Sequence, residues 1–187
     1  MTKDQLYKEL NYVSATRVCR SKYANMVIDQ KELIKPILEI VFMVDDKLSS
    51  RAAWVFEFAC KDDITIILPH LDYFTSNISR LKLDSTTRPC AKIIEILIEL
   101  YYKKQDLIIK EALNKIHREA IVECCFDWMI RNEKIAVKAY SMNALYYLGT
   151  EFSWIYPELK NILQKDYPHQ SSGYKARARH ILAKIDS

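Results

Sequence analysis

"LIKPILEIVFMVDDKLSSRAAW", residues 33–54, contains one complete copy of the pattern that decides the fold. Pro36 lies in an apolar segment, Asp46 follows in a polar turn, and Arg51 comes directly before two alanines. On both sides of the turn, apolar residues recur at the three- and four-residue spacing that is typical of amphipathic helices. The stretch therefore predicts two helices joined by a short acidic turn.

The same pattern returns three more times along the chain. The proline position is filled by Pro36, Pro69 and Pro157, and in the third copy by "AIVECC", residues 120–125, which has no proline. The basic position is filled by Arg51, Arg88, Lys138 and Lys175. The polar position before it is filled by Asp46, Asp84, Glu133 and Gln170. A helix-pair template used four times predicts a stack in which each pair packs on its neighbours.

The predicted architecture is therefore all-α: a right-handed α-α superhelix in one domain over residues 1–187, with an N-terminal helix pair at 1–30 and four repeated pairs at 31–185. The periodicity predicts helices over 3–13, 15–28, 31–44, 48–60, 63–79, 85–104, 107–130, 134–148, 153–165 and 172–185. Thr2, Ser14, Asp84 and Ser153 provide starting caps, and Gly149 provides an end. The β-branched "ITIIL", residues 64–68, also suits a strand, but its position among helices favours a helix.

Composition favours a soluble helical protein. The chain has only two glycines, 50% hydrophobic and 28% charged residues, and a net charge of +4, which is modest for a dedicated nucleic-acid binder. The charged start "MTKDQLYKEL", residues 1–10, predicts no signal peptide, and the longest apolar run, Ile40–Val44, is too short to span a membrane. Five cysteines without a CxxC pair predict reduced thiols in a cytoplasmic protein, with no metal and no cofactor.

The repeated residues resemble the HEAT repeat, which has a proline in its first helix, an acid in its turn and a basic residue starting its second helix. Gln170 departs from that pattern in the fourth copy. The chain is also similar to short bacterial proteins that are sometimes labelled adenylosuccinate lyase. That lyase family has a Met-Pro in its serine loop, which "SSGYKARA", residues 171–178, lacks, so the activity is not transferred. The resemblance implies a non-catalytic scaffold that binds a protein or peptide partner on its concave face.

The basic residues admit two interpretations. Arg51, Arg88, Lys138 and Lys175 would form either a ridge that grips an acidic or phosphate-bearing partner, or a structural ladder with the turn acids Asp46, Asp84 and Glu133. The recurrence of both charges favours the ladder. The basic "KARAR", residues 175–179, suits the polar outer face of a terminal helix, because no further repeat covers it.

The candidate interaction surface consists of matching positions on the second helices of the third and fourth copies: Tyr140, Asn143, Tyr147, Arg177, His180 and Lys184. Tyrosine and arginine are frequent at binding hot spots. If this stripe is exposed, it lines the concave surface. The alternative is that its tyrosines pack between repeats.

Catalytic interpretations are weaker. Glu95 and Glu99 lie one helical turn apart, but neighbouring lysines predict a solvated, salt-bridged face. Asp127 beside Trp128 is similar to the acid and aromatic residues of HEAT-like DNA glycosylases, which keeps nucleic-acid binding or repair as an alternative function. Consecutive helical residues point about 100° apart, however, so Trp128 is predicted to lie in the core, like Trp54 and Trp154.

Overall fold

The computed structural model describes residues 1–186, and within them the regular structure is helical with no strand. The eleven α-helices are α1 (Lys3–Glu9), α2 (Arg17–Asp29), α3 (Ile34–Val41), α4 (Leu48–Asp62), α5 (Leu71–Asn77), α6 (Asp84–Ile98), α7 (Leu107–Ala112), α8 (Lys115–Ile130), α9 (Ile135–Leu148), α10 (Ile155–Asp166) and α11 (Ser172–Ile185). Short 3₁₀ turns flank several of them, and Glu99–Lys103 forms a π-helical turn after α6. The all-α prediction is confirmed.

Two predicted helices are divided in the structure. The β-branched segment forms a 3₁₀ helix, Ile64–His70, that runs into α5; it is neither a strand nor an α-helix. The predicted helix over 107–130 is broken because the Asn114 side chain caps α8 by accepting a hydrogen bond from the amide of His117 at 3.0 Å. Asparagine competes for backbone bonds in this way, which favours a new helix start over a continuous helix.

The chain packs as two compact units, Met1–Ile93 and a second from Ile94 onward. In the first unit, α4 packs against both α2 and α3; in the second, α9 packs against α8, α10 and α11. The prediction of a single domain over residues 1–187 stays a prediction. Among residues 1–186, no helix is both long and apolar enough to cross a bilayer.

Burial follows the predicted repeat pattern in α9 and α11. α9 buries residues around most of its circumference, including Val137, Met142 and Leu145, because it contacts helices on several sides. α11 instead buries one face through Tyr174 and Ile181. Its other face is polar and exposes Arg177, Arg179 and His180.

In the first unit, a side chain replaces a backbone hydrogen bond that Pro89 removes from its helix. Pro89 lies inside α6, and because proline has no N–H, the carbonyl of Ser85 loses its donor from within the helix. The indole Nε1 of Trp54 donates to that carbonyl at 3.0 Å. The half-buried Trp54 therefore links α4 to α6 by a hydrogen bond that the proline makes necessary.

Candidate functional site

The predicted interaction surface is only partly exposed. Arg177 and His180 are exposed on α11, whereas Tyr140 and Tyr147 are half-buried on α9. Asn143 is 5% exposed, so its predicted place among surface residues is wrong. The reason is that α9 packs against neighbours on several sides, which leaves this face of the helix inside the unit.

Asn143 holds two carboxylates instead of facing solvent. Its Nδ2 donates to Oε1 of Glu95 at 2.9 Å and to Oε1 of Glu99 at 3.1 Å. Glu95 is 4% exposed, so the predicted solvated face is also wrong at this position. The amide supplies donors where burial removes water, and a buried carboxylate needs such donors to remain stable. Glu99 is the first residue of the π-helical turn.

Several tyrosine rings pack between helices of the second unit. Tyr146 lies 5.1 Å from Tyr147 and 6.1 Å from Tyr156 of α10, between ring centroids. Lys184 of α11 places its ammonium group 5.1 Å from the centre of the Tyr146 ring. Tyr174 is fully buried, and burial raises the pKa of its hydroxyl. Tyr146, beside the stripe, therefore packs between α9 and α10. Tyr140 and Tyr147 of the stripe itself are half-buried, so the choice between the two alternatives stays a prediction.

Arg51 does not pair with its turn acid. Its Nη1 donates to the carbonyl oxygens of Leu10, at 3.2 Å, and Asn11. Asp46 accepts a hydrogen bond from the Tyr7 hydroxyl at 2.6 Å and another from the backbone N–H of Leu48, the first residue of α4, at 2.8 Å. The two charges of the first repeat therefore serve separate partners.

The other basic residues of the template also reach acceptors outside it. Arg88 donates to the buried Glu57 at 3.0 Å. Lys138, itself buried, donates to the carbonyl of Met129 at 2.8 Å and lies 3.6 Å from Asp166. Lys175 reaches the carbonyl of Pro168 at 3.3 Å. Three of the four cations, Arg51, Lys138 and Lys175, thus bind carbonyls at the ends of preceding helices, where positive charge is favourable.

An ion pair that periodicity does not reveal lies at the start of α8. Arg118, with a side chain only 9% exposed, donates from Nε and Nη2 to the carboxylate of Glu151 at 3.0 and 2.8 Å. Its Nη1 donates to the Leu113 carbonyl at 2.6 Å, and its guanidinium stacks on Tyr101 at 4.6 Å. The Tyr102 hydroxyl donates to the same carboxylate at 2.6 Å. The network is satisfied internally and is structural.

The pKa of Glu151 reflects this network. Burial of the carboxyl group raises its pKa, but the hydrogen bonds from Arg118 and Tyr102, together with the positive charge of Arg118, outweigh burial and leave the pKa below its ordinary value. The charged form of Glu151 is therefore stabilised by folding.

Asp127 and Trp128 do not form a common site. Trp128 is fully buried, whereas Asp127 is exposed and pairs with Arg131 at 2.9 Å. Trp154, predicted to lie in the core, is 54% exposed, because it precedes α10 and stacks on the outer side of Phe126 at 5.6 Å. Within residues 1–186, no group of three or more His, Cys, Asp or Glu side chains is placed to hold a metal ion.

The cysteines divide by environment. Cys60, Cys90, Cys124 and Cys125 are buried, and none of these four is in a disulfide. Burial raises the pKa of Cys60 well above its ordinary value and raises the pKa of Cys125 to about 12. Cys19 is half-buried, and a hydrogen bond from the backbone N–H of Ser14 lowers its pKa.

The helix pairs, their shared template and the all-round burial of α9 define an all-α repeat protein. The model of a HEAT repeat domain matches residues 2–185, and the chain therefore belongs to the HEAT repeat family. The match includes residues 2–30, which precede the four template copies. No curated protein and no solved structure matched the chain.

Proposed function

We propose that this chain is a non-catalytic scaffold that binds a protein or peptide on the α9 and α11 side of its second unit. The proposal rests on one contrast in how charge is used. Arg88, Arg118 and Lys138 each have an acidic partner within the structure. Arg177 and Arg179 are exposed on α11, and among residues 1–186 no acidic side chain pairs with either.

The chemistry of this surface suits an acidic partner. Exposed guanidinium groups bind carboxylates in a bidentate manner, and the half-buried Tyr140 and Tyr147 on α9 add apolar area with a polar tip. Asn143, which lies between these two tyrosines on α9, is fixed by its hydrogen bonds to Glu95 and Glu99. HEAT repeat domains commonly mediate binding, which is consistent with this role.

A selection from a display library of random short peptides tests the proposal. The peptides enriched on the wild-type chain should include an acidic class that binds the Arg177→Glu/Arg179→Glu variant at least about tenfold more weakly, a loss of about 1.4 kcal/mol. The matched control is Lys103→Glu/Lys104→Glu, which reverses two exposed charges outside this surface and should bind normally.

A labelled DNA duplex distinguishes the nucleic-acid alternative. Phosphate contacts are strongest at low salt, so tight binding there that the α11 variant abolishes would favour a nucleic-acid ligand over a protein. Failure to select any peptide that depends on Arg177 and Arg179 would also contradict the proposal. The release of fumarate from adenylosuccinate by the purified chain would replace it with the lyase activity.

A further inference from the structure

An apolar groove lies on a different pair of helices, between α8 and the start of α10. It has a volume of about 540 Å³, and Phe126 and Trp154 form its aromatic part. Ile130 and Ile162 extend the apolar lining along the two helices. A second recess of about 260 Å³ adjoins it, sharing Trp154 and Glu123. Ligand sites commonly have volumes of about 300–1,000 Å³, and the larger recess falls in this range.

The apolar side chains of the groove are unusually accessible. Trp154 is 54% exposed and Ile130 is 72% exposed. The rings of Phe126 and Trp154 stack with centroids 5.6 Å apart and an interplanar angle of 22°, which makes a broad aromatic surface. Exposed apolar area that is contiguous and bordered by polar groups is typical of an interaction site.

The border of the groove is acidic, although the chain as a whole carries a charge of +4. Glu123 and Glu158 line the groove, one on each helix, and both are exposed. Within residues 1–186 neither carboxylate has a hydrogen bond or an ion pair. Asp127 also lines the groove, but its charge is balanced by Arg131 at 2.9 Å. Two carboxylates therefore remain available to a ligand.

We infer that this groove binds a basic amphipathic segment of a partner protein. A bulky apolar side chain of that segment would pack on Phe126 and Trp154, while lysine or arginine residues beside it pair with Glu123 and Glu158. An acidic segment or a nucleic acid would be repelled by the same carboxylates. An entirely apolar segment would bury them without a partner, which is unfavourable. A cation beside the Trp154 ring gains a further attraction to its face.

Trp154 is a natural reporter for this interaction. It is the exposed tryptophan, whereas Trp128 is fully buried and Trp54 is half-buried. The probe is a synthetic peptide with the sequence Lys-Lys-Leu-Lys-Lys. We expect it to shift the tryptophan emission to shorter wavelength in a saturable manner, and we expect this response to be absent in the Trp154→Phe variant.

Two comparison peptides separate the contributions of charge and apolar contact. Replacing the leucine by glycine, or the lysines by glutamates, should weaken binding at least about tenfold, equivalent to 1.4 kcal/mol. Equal binding of all three peptides would overturn the inference. Absence of any saturable response to the lysine–leucine peptide would also overturn it.

Two double variants of the protein change the net charge by the same amount, one inside the groove and one outside it. Glu123→Gln/Glu158→Gln should weaken the lysine–leucine peptide about tenfold, whereas Glu32→Gln/Glu111→Gln, at exposed acids outside the groove, should have no effect. An equal loss in both variants would mean unspecific attraction and would contradict the groove. Neither variant changes α9 or α11, so the result is independent of the function proposed above.

A second copy of this chain is the competing occupant, since α11 exposes Arg177 and Arg179. Light scattering across a range of concentrations distinguishes it. If the chain forms a dimer that dissociates in both the Glu123→Gln/Glu158→Gln and the Arg177→Glu/Arg179→Glu variants, the groove binds a second copy and not a partner segment. A monomer at all concentrations, together with peptide binding, would support the inference.

Discussion

Replacing Glu151 by glutamine should lower the free energy of unfolding by about 2–3 kcal/mol at neutral pH. The substitution keeps the size of the side chain but removes the charge that faces Arg118, whose side chain is 9% exposed. Two charge-assisted hydrogen bonds of about 1.5–3 kcal/mol each are weakened. Because the Glu151 side chain is 30% exposed, solvent screens part of its attraction to Arg118, and the glutamine oxygen still accepts one hydrogen bond. The expected loss of stability is therefore smaller than the sum of the two hydrogen-bond energies.

The pH dependence of this loss has a defined sign. Because folding lowers the pKa of Glu151 below its ordinary value of 4.5, the charged carboxylate stabilises the fold fully above that value. As the pH falls below 4.5 and passes through the lowered pKa, the folded protein also takes up the proton and the stabilisation is lost. The difference between the wild type and Glu151→Gln should therefore shrink in acid.

Urea unfolding followed by far-ultraviolet circular dichroism, at neutral pH and at several acidic values, measures this difference. Glu111→Gln makes the same chemical change at an exposed carboxylate and should stay within about 0.5 kcal/mol of the wild type. A loss below about 0.5 kcal/mol for Glu151→Gln, or a loss that does not change with pH, would refute the reasoning.

Three further experiments test other parts of the structure. Gly149→Ala should lower the free energy of unfolding by about 1–3 kcal/mol, because the new Cβ would overlap a neighbouring tyrosine ring. Gly173→Ala, at an open helical position, should raise it by about 0.5–1 kcal/mol, and thermal unfolding compares the two variants. Trp54→Phe should cost about 1 kcal/mol in urea unfolding through the lost indole hydrogen bond, and less when the proline in α6 is also replaced by alanine, which restores the helical donor. Iodoacetamide at mildly alkaline pH should label Cys19 at least about 100-fold faster than the buried Cys60, as measured by mass spectrometry of peptides, and equal rates would contradict the burial.

The helical content was predictable because it depends on local signals. Thr2 caps α1 and Gly149 follows α9, as the sequence indicates. Ser153 was predicted to start a helix, but α10 begins at Ile155 after turns that the pattern does not show. A cap is set by the residues next to it, whereas the exact start of a helix also depends on packing.

The residue partners were less predictable because they are distant in sequence or belong to the backbone. Asn143 meets Glu95 from 48 residues away, so the i,i+3 and i,i+4 rule assigned Glu95 to solvent incorrectly. Arg51 binds main-chain oxygens, which every residue carries and no side-chain pattern marks. The exposure of Trp154 also depends on how α10 meets α8, which spacing within one helix does not reveal.

The use of main-chain oxygens as acceptors for the repeat cations affects how the copies can diverge. A carbonyl at a helix end persists whatever side chain occupies that position, so the cation keeps its acceptor when a nearby acid is replaced. The fourth copy illustrates this: it has Gln170 in the acid position, and Lys175 still reaches the oxygen of Pro168. Substitution of the turn acid is therefore tolerated. Loss of the cation, in contrast, would leave carbonyl oxygens at the end of a helix without their donor.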